Sequence, residues 1–214
     1  GVNYMHLIDH GRNHVEETYK RPFLERCMRS ILSFTLPNPR IFLSLALSTK
    51  IIKPFSFLLP SFFKNALKLM PSKIPSKKLK TQKIYSSLGK KNIARVALLT
   101  GCVQRVISPE INDSTIRLLN RHNVEVVVLP EIDCCGSLNH HLGKKKLAHS
   151  SFKKNINLWH EEYLKNGLDA IISNTSGCGT TLKDYGFIFR DDKAFTKKAK
   201  KISELTKDIT EFLD

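Results

Sequence analysis

Five cysteines stand in the 214-residue chain: Cys27, Cys102, Cys134, Cys135 and Cys178. Four of them share one pattern. Cys102 and Gly101 follow the β-type run Ile93–Thr100. The pair Cys134/Cys135, with Gly136 behind it, follows the run Val124–Leu129. Cys178 follows the run Asp169–Ser173 and is flanked by Gly177 and Gly179. Thiolates are soft, charged ligands, and four of them from three loops suit a soft metal ion or an iron–sulfur cluster. A single buried cysteine is commonly just a small apolar core residue. Four of them at three equivalent strand ends do not read that way. The neighbouring glycines let the backbone turn sharply and pass close to a bulky group. Cys178 precedes a helical segment, whose N-terminal end favours a thiolate. Cys27 falls on the apolar face of a helical segment and reads as core. An odd cysteine count without an export signal argues for metal or redox chemistry over a disulfide scaffold.

The elements that must position these thiols alternate in type. Three strands are read at Ile93–Thr100, Val124–Leu129 and Asp169–Ser173. Between them lie a helix opened by Pro109-Glu110, with Ile111, Thr115, Leu118 and Leu119 as its buried stripe, and a long helix over 144–166. The long helix carries Leu147, Phe152, Ile156, Trp159 and Tyr163 in register and stops at Gly167. Two helices, near Lys193–Lys201 and Ser203–Leu213, close the chain. A β-α-β-α-β order predicts an α/β fold with a small parallel sheet and right-handed crossovers. In such a sheet the strand ends carrying the cysteines share one edge, where ligands bind.

The first part of the chain differs. Residues 1–70 read as helical, with Tyr4, Leu7, Ile8, Gly11 and Val15 along one face and breaks at Pro22 and Pro37-Asn38-Pro39. Further helices are expected at Arg40–Ile52 and Ser56–Met70. Residues 71–91 carry two prolines and seven lysines with no acid, a basic linker. Residues 92–214 form the α/β unit. The formal net charge of +16 is concentrated early. Positions 1–100 hold 18 basic and 4 acidic residues (18 − 4 = +14), and positions 101–214 hold 17 and 15 (17 − 15 = +2). No apolar run approaches the ~20 residues of a membrane span, and no signal peptide is read.

Other groups with chemical potential stand near the cysteines in sequence. His140 and His141 follow the CCG tripeptide closely enough for one imidazole to complete a Cys/His zinc-type site, or they are a surface pair near a turn. His149 and His160 read as solvent-facing on the long helix. Lys183-Asp184 could bring a cation near the thiols or form an ordinary surface ion pair. No phosphate loop, Ser/His/Asp set or flavin fingerprint is visible, so no catalytic residue is assigned.

The pattern Cys102-x31-Cys134-Cys135-Gly136-x41-Cys178 resembles the CCG cysteine-rich family of heterodisulfide reductase subunits and of iron–sulfur subunits of hydroxy-acid dehydrogenases. The stretches LTGCVQRVISPEIN, CCGSLNHHLG, SNTSGCGTTLKDYG and LTKDITEFL, with GVNYMHLIDHGR at the start, are similar to the glycolate oxidase (glycolate dehydrogenase) iron–sulfur subunits. The resemblance covers essentially all of the chain. It implies a central fragment, without the family's ferredoxin-type module and second CCG repeat. The chain departs from the heterodisulfide reductase form at Thr175, which stands where that form has the first cysteine of Cys-x-x-Cys.

What the resemblance implies is an iron–sulfur electron-transfer subunit. Cys102, Cys134, Cys135 and Cys178 would bind the cofactor, a 4Fe–4S cluster, with zinc as the other metal such domains hold. Its partners would be FAD-containing glycolate oxidase subunits, which oxidise glycolate to glyoxylate, and an acceptor at the membrane. The chain would be inactive alone. The alternative is a structural zinc-binding or disulfide-reductase-like CCG protein acting as an interaction module. Nucleic acid is not expected as a partner, because the lysine arm lacks interleaved aromatics. The expected location is cytoplasmic and peripheral on the inner face of the cell membrane. There Phe55, Phe57, Leu58, Phe62 and Phe63 would dip into the interface and the lysines would meet anionic lipid.

Overall fold

The computed structural model describes residues 1–58, 64–65, 67, 84–89 and 91–214. The helix expected over Ser56–Met70 falls largely outside the described residues, as do Phe62, Phe63 and most of the lysine arm.

Three helices open the chain: α1 (Tyr4–Thr18), α2 (Phe23–Thr35) and α3 (Pro39–Ile52), followed by a 3₁₀ turn over Lys53–Leu58. Asn3 caps α1 by accepting from the His6 N–H. Pro22 sits at the N-cap of α2 and Pro39 in the first turn of α3, where a missing N–H costs nothing.

The sheet has five strands: β1 (Ile84–Tyr85), β2 (Ala94–Leu99), β3 (Val124–Val127), β4 (Ala170–Ser173) and β5 (Thr206–Asp208), in the order β1-β3-β2-β4-β5. The three strands read from sequence form its parallel centre, with Val96 opposite both Val126 and Ala170. Two strands were not read. Ile84–Tyr85, inside the stretch read as a linker, pairs antiparallel with Val126–Val127. Thr206–Asp208 pairs parallel with Ile171–Ser173. The sheet is therefore mixed, not purely parallel. Both additions are two or three residues long, too short to show a period of 2. The helix read over Ser203–Leu213 is split by β5, which separates the helix Thr196–Leu205 from the short last helix Ile209–Leu213.

Alternation along each strand separates two cores. Ala97, Leu99, Val127 and Ile171 face one layer, with Phe152, Ile156, Trp159 and Tyr185. Val96, Leu98, Val126 and Ile172 face the other, with Ile116 and Leu119. The first layer is built on the long helix (Lys145–Asn166) and the second on the helix Pro109–Arg121. On the latter, Asn112, Thr115, Ile116 and Leu119 are buried, while Ile111 and Leu118 lie largely outside the core. The expected stripe was therefore rotated. The sheet packs on Ile116, and the polar Asn112 enters the buried face because it has a partner in the Thr100 carbonyl. On the long helix, Leu147 is exposed and Asn155 and Glu162 are buried.

Of the N-terminal helices, α3 docks through apolar residues, packing Phe42 and Ala46 on Val106, whereas α1 and α2 do not. Tyr4, Leu7, Phe23, Leu24 and Ile31 are exposed, and the buried residue of α1 is Asp9. Its carboxylate accepts from Arg12 at 2.7 Å and meets His140 Nε2 at 3.1 Å. His6 Nε2 reaches Asp184 at 2.7 Å and its ring stacks on Phe187 at 3.4 Å. Arg29 donates to the Leu142 carbonyl and Ser33 to Asn139, both at 2.6 Å. A polar seam thus joins helices near the start of the chain to loops more than a hundred residues later. Cys27, read as core, is only half-buried on α2.

Candidate metal centre

The strand order creates the site. From β2 the chain moves to one neighbour, β3, then returns past β2 to β4 on its other side. Such a reversal leaves a crevice beyond the carboxyl ends of the strands. Cys102 follows β2, the CCG tripeptide follows β3, and Cys178 follows β4. Cys178 lies in the first turn of the helix Ser176–Lys183 rather than before it.

The structure brings all four predicted thiols together. Cys135 Sγ donates to Cys178 Sγ at 3.1 Å. Cys102 and Cys134 lie in the same cluster and act on each other electrostatically, as do Cys134 and Cys135. Backbone N–H groups complete the set, from Gly136 to Cys134 Sγ at 3.4 Å and from Ser137 to Cys135 Sγ at 3.5 Å. The electrostatics alternate along the row. Donation to Cys134, reinforced by burial, pushes the Cys102 thiol far up. Cys135 is pushed well up by its contacts with Cys134 and Cys178 and by burial. Thiol donation from Cys102 and Cys135 pulls Cys134 down, helped by the Gly136 N–H and Arg105. Donation from Cys135 pulls Cys178 down. The same contacts thus push two of the four thiols up and two down.

Four thiols from three loops, with backbone donors aimed at their sulfurs, have the chemistry to fit an iron–sulfur cluster. Cys135 and Cys178 are in direct sulfur contact, and among the described residues no group of three or more His, Cys, Asp or Glu is spaced for a metal ion.

Gly136, read from sequence, and several residues not read from it hold the loops. Gly136 adopts φ +86°, and a Cβ there would lie 2.5 Å from the Phe152 ring. Asn155 donates to the Cys134 carbonyl at 2.8 Å, and Tyr185 donates from its hydroxyl to the Cys135 carbonyl at 2.7 Å. Gln104 donates to Asn112 and Asn174 and accepts from Thr175, tying the first cysteine loop to the third. Arg105 reaches Thr100, Ile132 and Asp133. A polar residue on the buried face of the long helix was the one available signal for Asn155.

The remaining candidates lie elsewhere. His140 and His141 engage Asp9 on α1, and burial depresses His140. His149 and His160, read as solvent-facing, are half-buried, and the His149 ring lies 5.1 Å from that of Phe189. Lys183 pairs with Glu211 and Asp184 with His6, so the two do not form a pair with each other.

Residues 96–183 match the model of the CCG cysteine-rich domain. Along its whole length the chain is similar to the glycolate oxidase iron–sulfur subunit of Escherichia coli, at 33% identity over 213 residues, which is 49% of that protein. It is 27% identical over 226 residues to the probable glycolate oxidase iron–sulfur subunit of Bacillus subtilis, covering 50% of it. Lactate utilization protein A of Bacillus subtilis is 25% identical over 119 residues, covering 56% of this chain and 48% of that protein. The chain spans about half the length of the curated relatives it matches. No solved structure matches.

Proposed function

We propose that the chain is part of an iron–sulfur electron-transfer subunit of a glycolate oxidase, with Cys102, Cys134, Cys135 and Cys178 as ligands of a 4Fe–4S cluster. The observation that carries this reading is the meeting of four thiols from three strand-end loops at one sheet edge. A bound cluster would supply one-electron transfer there. The chain's own residues shape the cradle. Gly136 lets the loop turn, Asn155 and Tyr185 fix its carbonyls, and the Gly136 and Ser137 N–H groups stabilise negative sulfur. In this reading a flavoprotein partner oxidises glycolate to glyoxylate, and the chain stands between it and an acceptor at the membrane.

The test is anaerobic purification and reconstitution of the full chain. Iron and acid-labile sulfide in equal amounts, with a paramagnetic signal on reduction, support the reading. A colourless protein holding zinc would overturn it in favour of the structural module.

Peripheral membrane association is a further part of the proposal. Ile51, Phe55 and Phe57 are 74%, 58% and 70% exposed around Lys53, the arrangement of an interfacial segment. No helix among the described residues is long and apolar enough to cross a membrane. Sedimentation with anionic vesicles at low salt, lost at high salt, is the expected result. Equal recovery in the supernatant with anionic and neutral vesicles would overturn it.

A further inference from the structure

Arg105 stands three residues after Cys102, in the one-turn helix Gln104–Ile107. Its guanidinium spans two cysteine loops. Nη2 donates to Thr100 Oγ1 at 2.6 Å, before Cys102, and to the Ile132 carbonyl at 3.1 Å. Nη1 donates to Asp133 at 3.3 Å, beside Cys134. The side chain is largely buried, and Nε is buried with no partner among the described residues. A buried N–H of a cation is costly to leave unpaired, and negatively charged sulfur is a suitable acceptor. The guanidinium thus places its positive charge between the loops that carry Cys102 and Cys134. Asp133 cancels part of this field, but it is half-exposed and screened by water.

We propose that Arg105 is the positioning residue of the metal centre: it locks the Cys102 loop to the Cys134 loop and sets a positive charge beside their sulfurs that raises the centre's reduction potential. The inference rests on the reading that the thiols hold an iron–sulfur cluster. Cluster potentials follow local charge and hydrogen bonds to sulfur. A nearby cation stabilises the more negative, reduced form. Lysine would keep the charge but lose the planar fork that bridges the two loops.

The test is a redox titration of the reconstituted full chain, followed by the paramagnetic signal of the reduced centre, with iron and sulfide measured on each sample. Arg105→Gln is expected to lower the potential enough to cut the reduced-to-oxidised ratio about tenfold at fixed potential, which is about 59 mV for one electron. Arg105→Lys should restore most of that loss. Asp133→Asn should shift the potential upward, since it frees the cation from its counter-charge. A merely structural role for Arg105 would not produce shifts of opposite sign. Arg105→Gln with a full cluster at the wild-type potential overturns the inference. Should Arg105→Gln lose its cluster, Asp133→Asn decides: an upward shift supports the proposal and an unchanged potential overturns it. Wild-type chain that takes up neither iron nor sulfide overturns the underlying reading, and this inference with it.

Discussion

The Tyr185 hydroxyl donates to the Cys135 carbonyl at 2.7 Å, across fifty positions of sequence and inside a fully buried layer. Tyr185 also accepts from Asn155, which itself donates to the Cys134 carbonyl. Two side chains from two helices thus satisfy consecutive carbonyls of the cysteine loop. Burial drives the Tyr185 pKa well above the usual phenol value, so the proton it donates stays in place.

Removing that hydroxyl leaves a buried carbonyl without its donor. Tyr185→Phe is expected to cost about 1–3 kcal/mol of stability. Urea denaturation followed by the fluorescence of Trp159, packed in the same layer, will measure it. A midpoint equal to that of the wild type would show that the carbonyl has another partner.

Gly136→Ala meets two penalties. Its φ of +86° disfavours any L side chain, and its Cβ would lie 2.5 Å from Phe152. The loss is expected to exceed about 2 kcal/mol, from the left-handed backbone together with overpacking. Adding Phe152→Leu should relieve only the steric part, which a double-mutant cycle reads as coupling between the two sites.

Acid should loosen the seam between α1 and the cysteine-rich unit. His140 is depressed below its ordinary 6.5, chiefly by burial. An unfolded chain therefore takes up this proton first, and stability falls as pH drops through 6.5 toward the folded value. His149 and His160 are also depressed, again chiefly by burial, and add to the same slope. Burial alone would raise Asp9, but Arg12, His140 and His141 hold it below 3.8, so its contribution is lost at lower pH still. Asp184 is raised by burial and opposes this trend below the His window. His140→Gln should give a shallower dependence of melting temperature on pH around 6.5. An unchanged slope would remove His140 from the account.

Each thiol of the site is tested singly. Serine at Cys102, Cys134, Cys135 or Cys178 is expected to lower iron and sulfide per chain after reconstitution, while Cys27→Ser leaves both unchanged. Cys27 is half-buried on α2 and takes no part in the thiol row. Equal iron in all five variants would mean that the bound metal sits elsewhere.

How much of this was legible beforehand can be argued residue by residue. Val96–Leu99, Val124–Val127 and Ala170–Ser173 are apolar runs of strand length, and each is followed by glycine or proline and then cysteine. Local composition therefore set the strands, their order and the loops that carry the thiols, and parallel alternation placed those loops on one edge. The edge strands Ile84–Tyr85 and Thr206–Asp208 exist only because β3 and β4 offer them unpaired backbone groups, a cause outside their own residues. The same holds for the partners of the site. Asn155 and Asn112 are polar residues on buried faces, and only the carbonyls of Cys134 and Thr100 make their burial tolerable. The first two helices, α1 and α2, show the greatest distance between pattern and outcome. Their apolar residues suggested the face that would be buried, yet α1 docks through Asp9 and His6 onto His140 and Asp184. A hydrophobic period tells which residues gain from leaving water. It does not tell that a carboxylate will meet an imidazole 131 positions away, because that energy belongs to the pair and exists only once the fold has brought the two together.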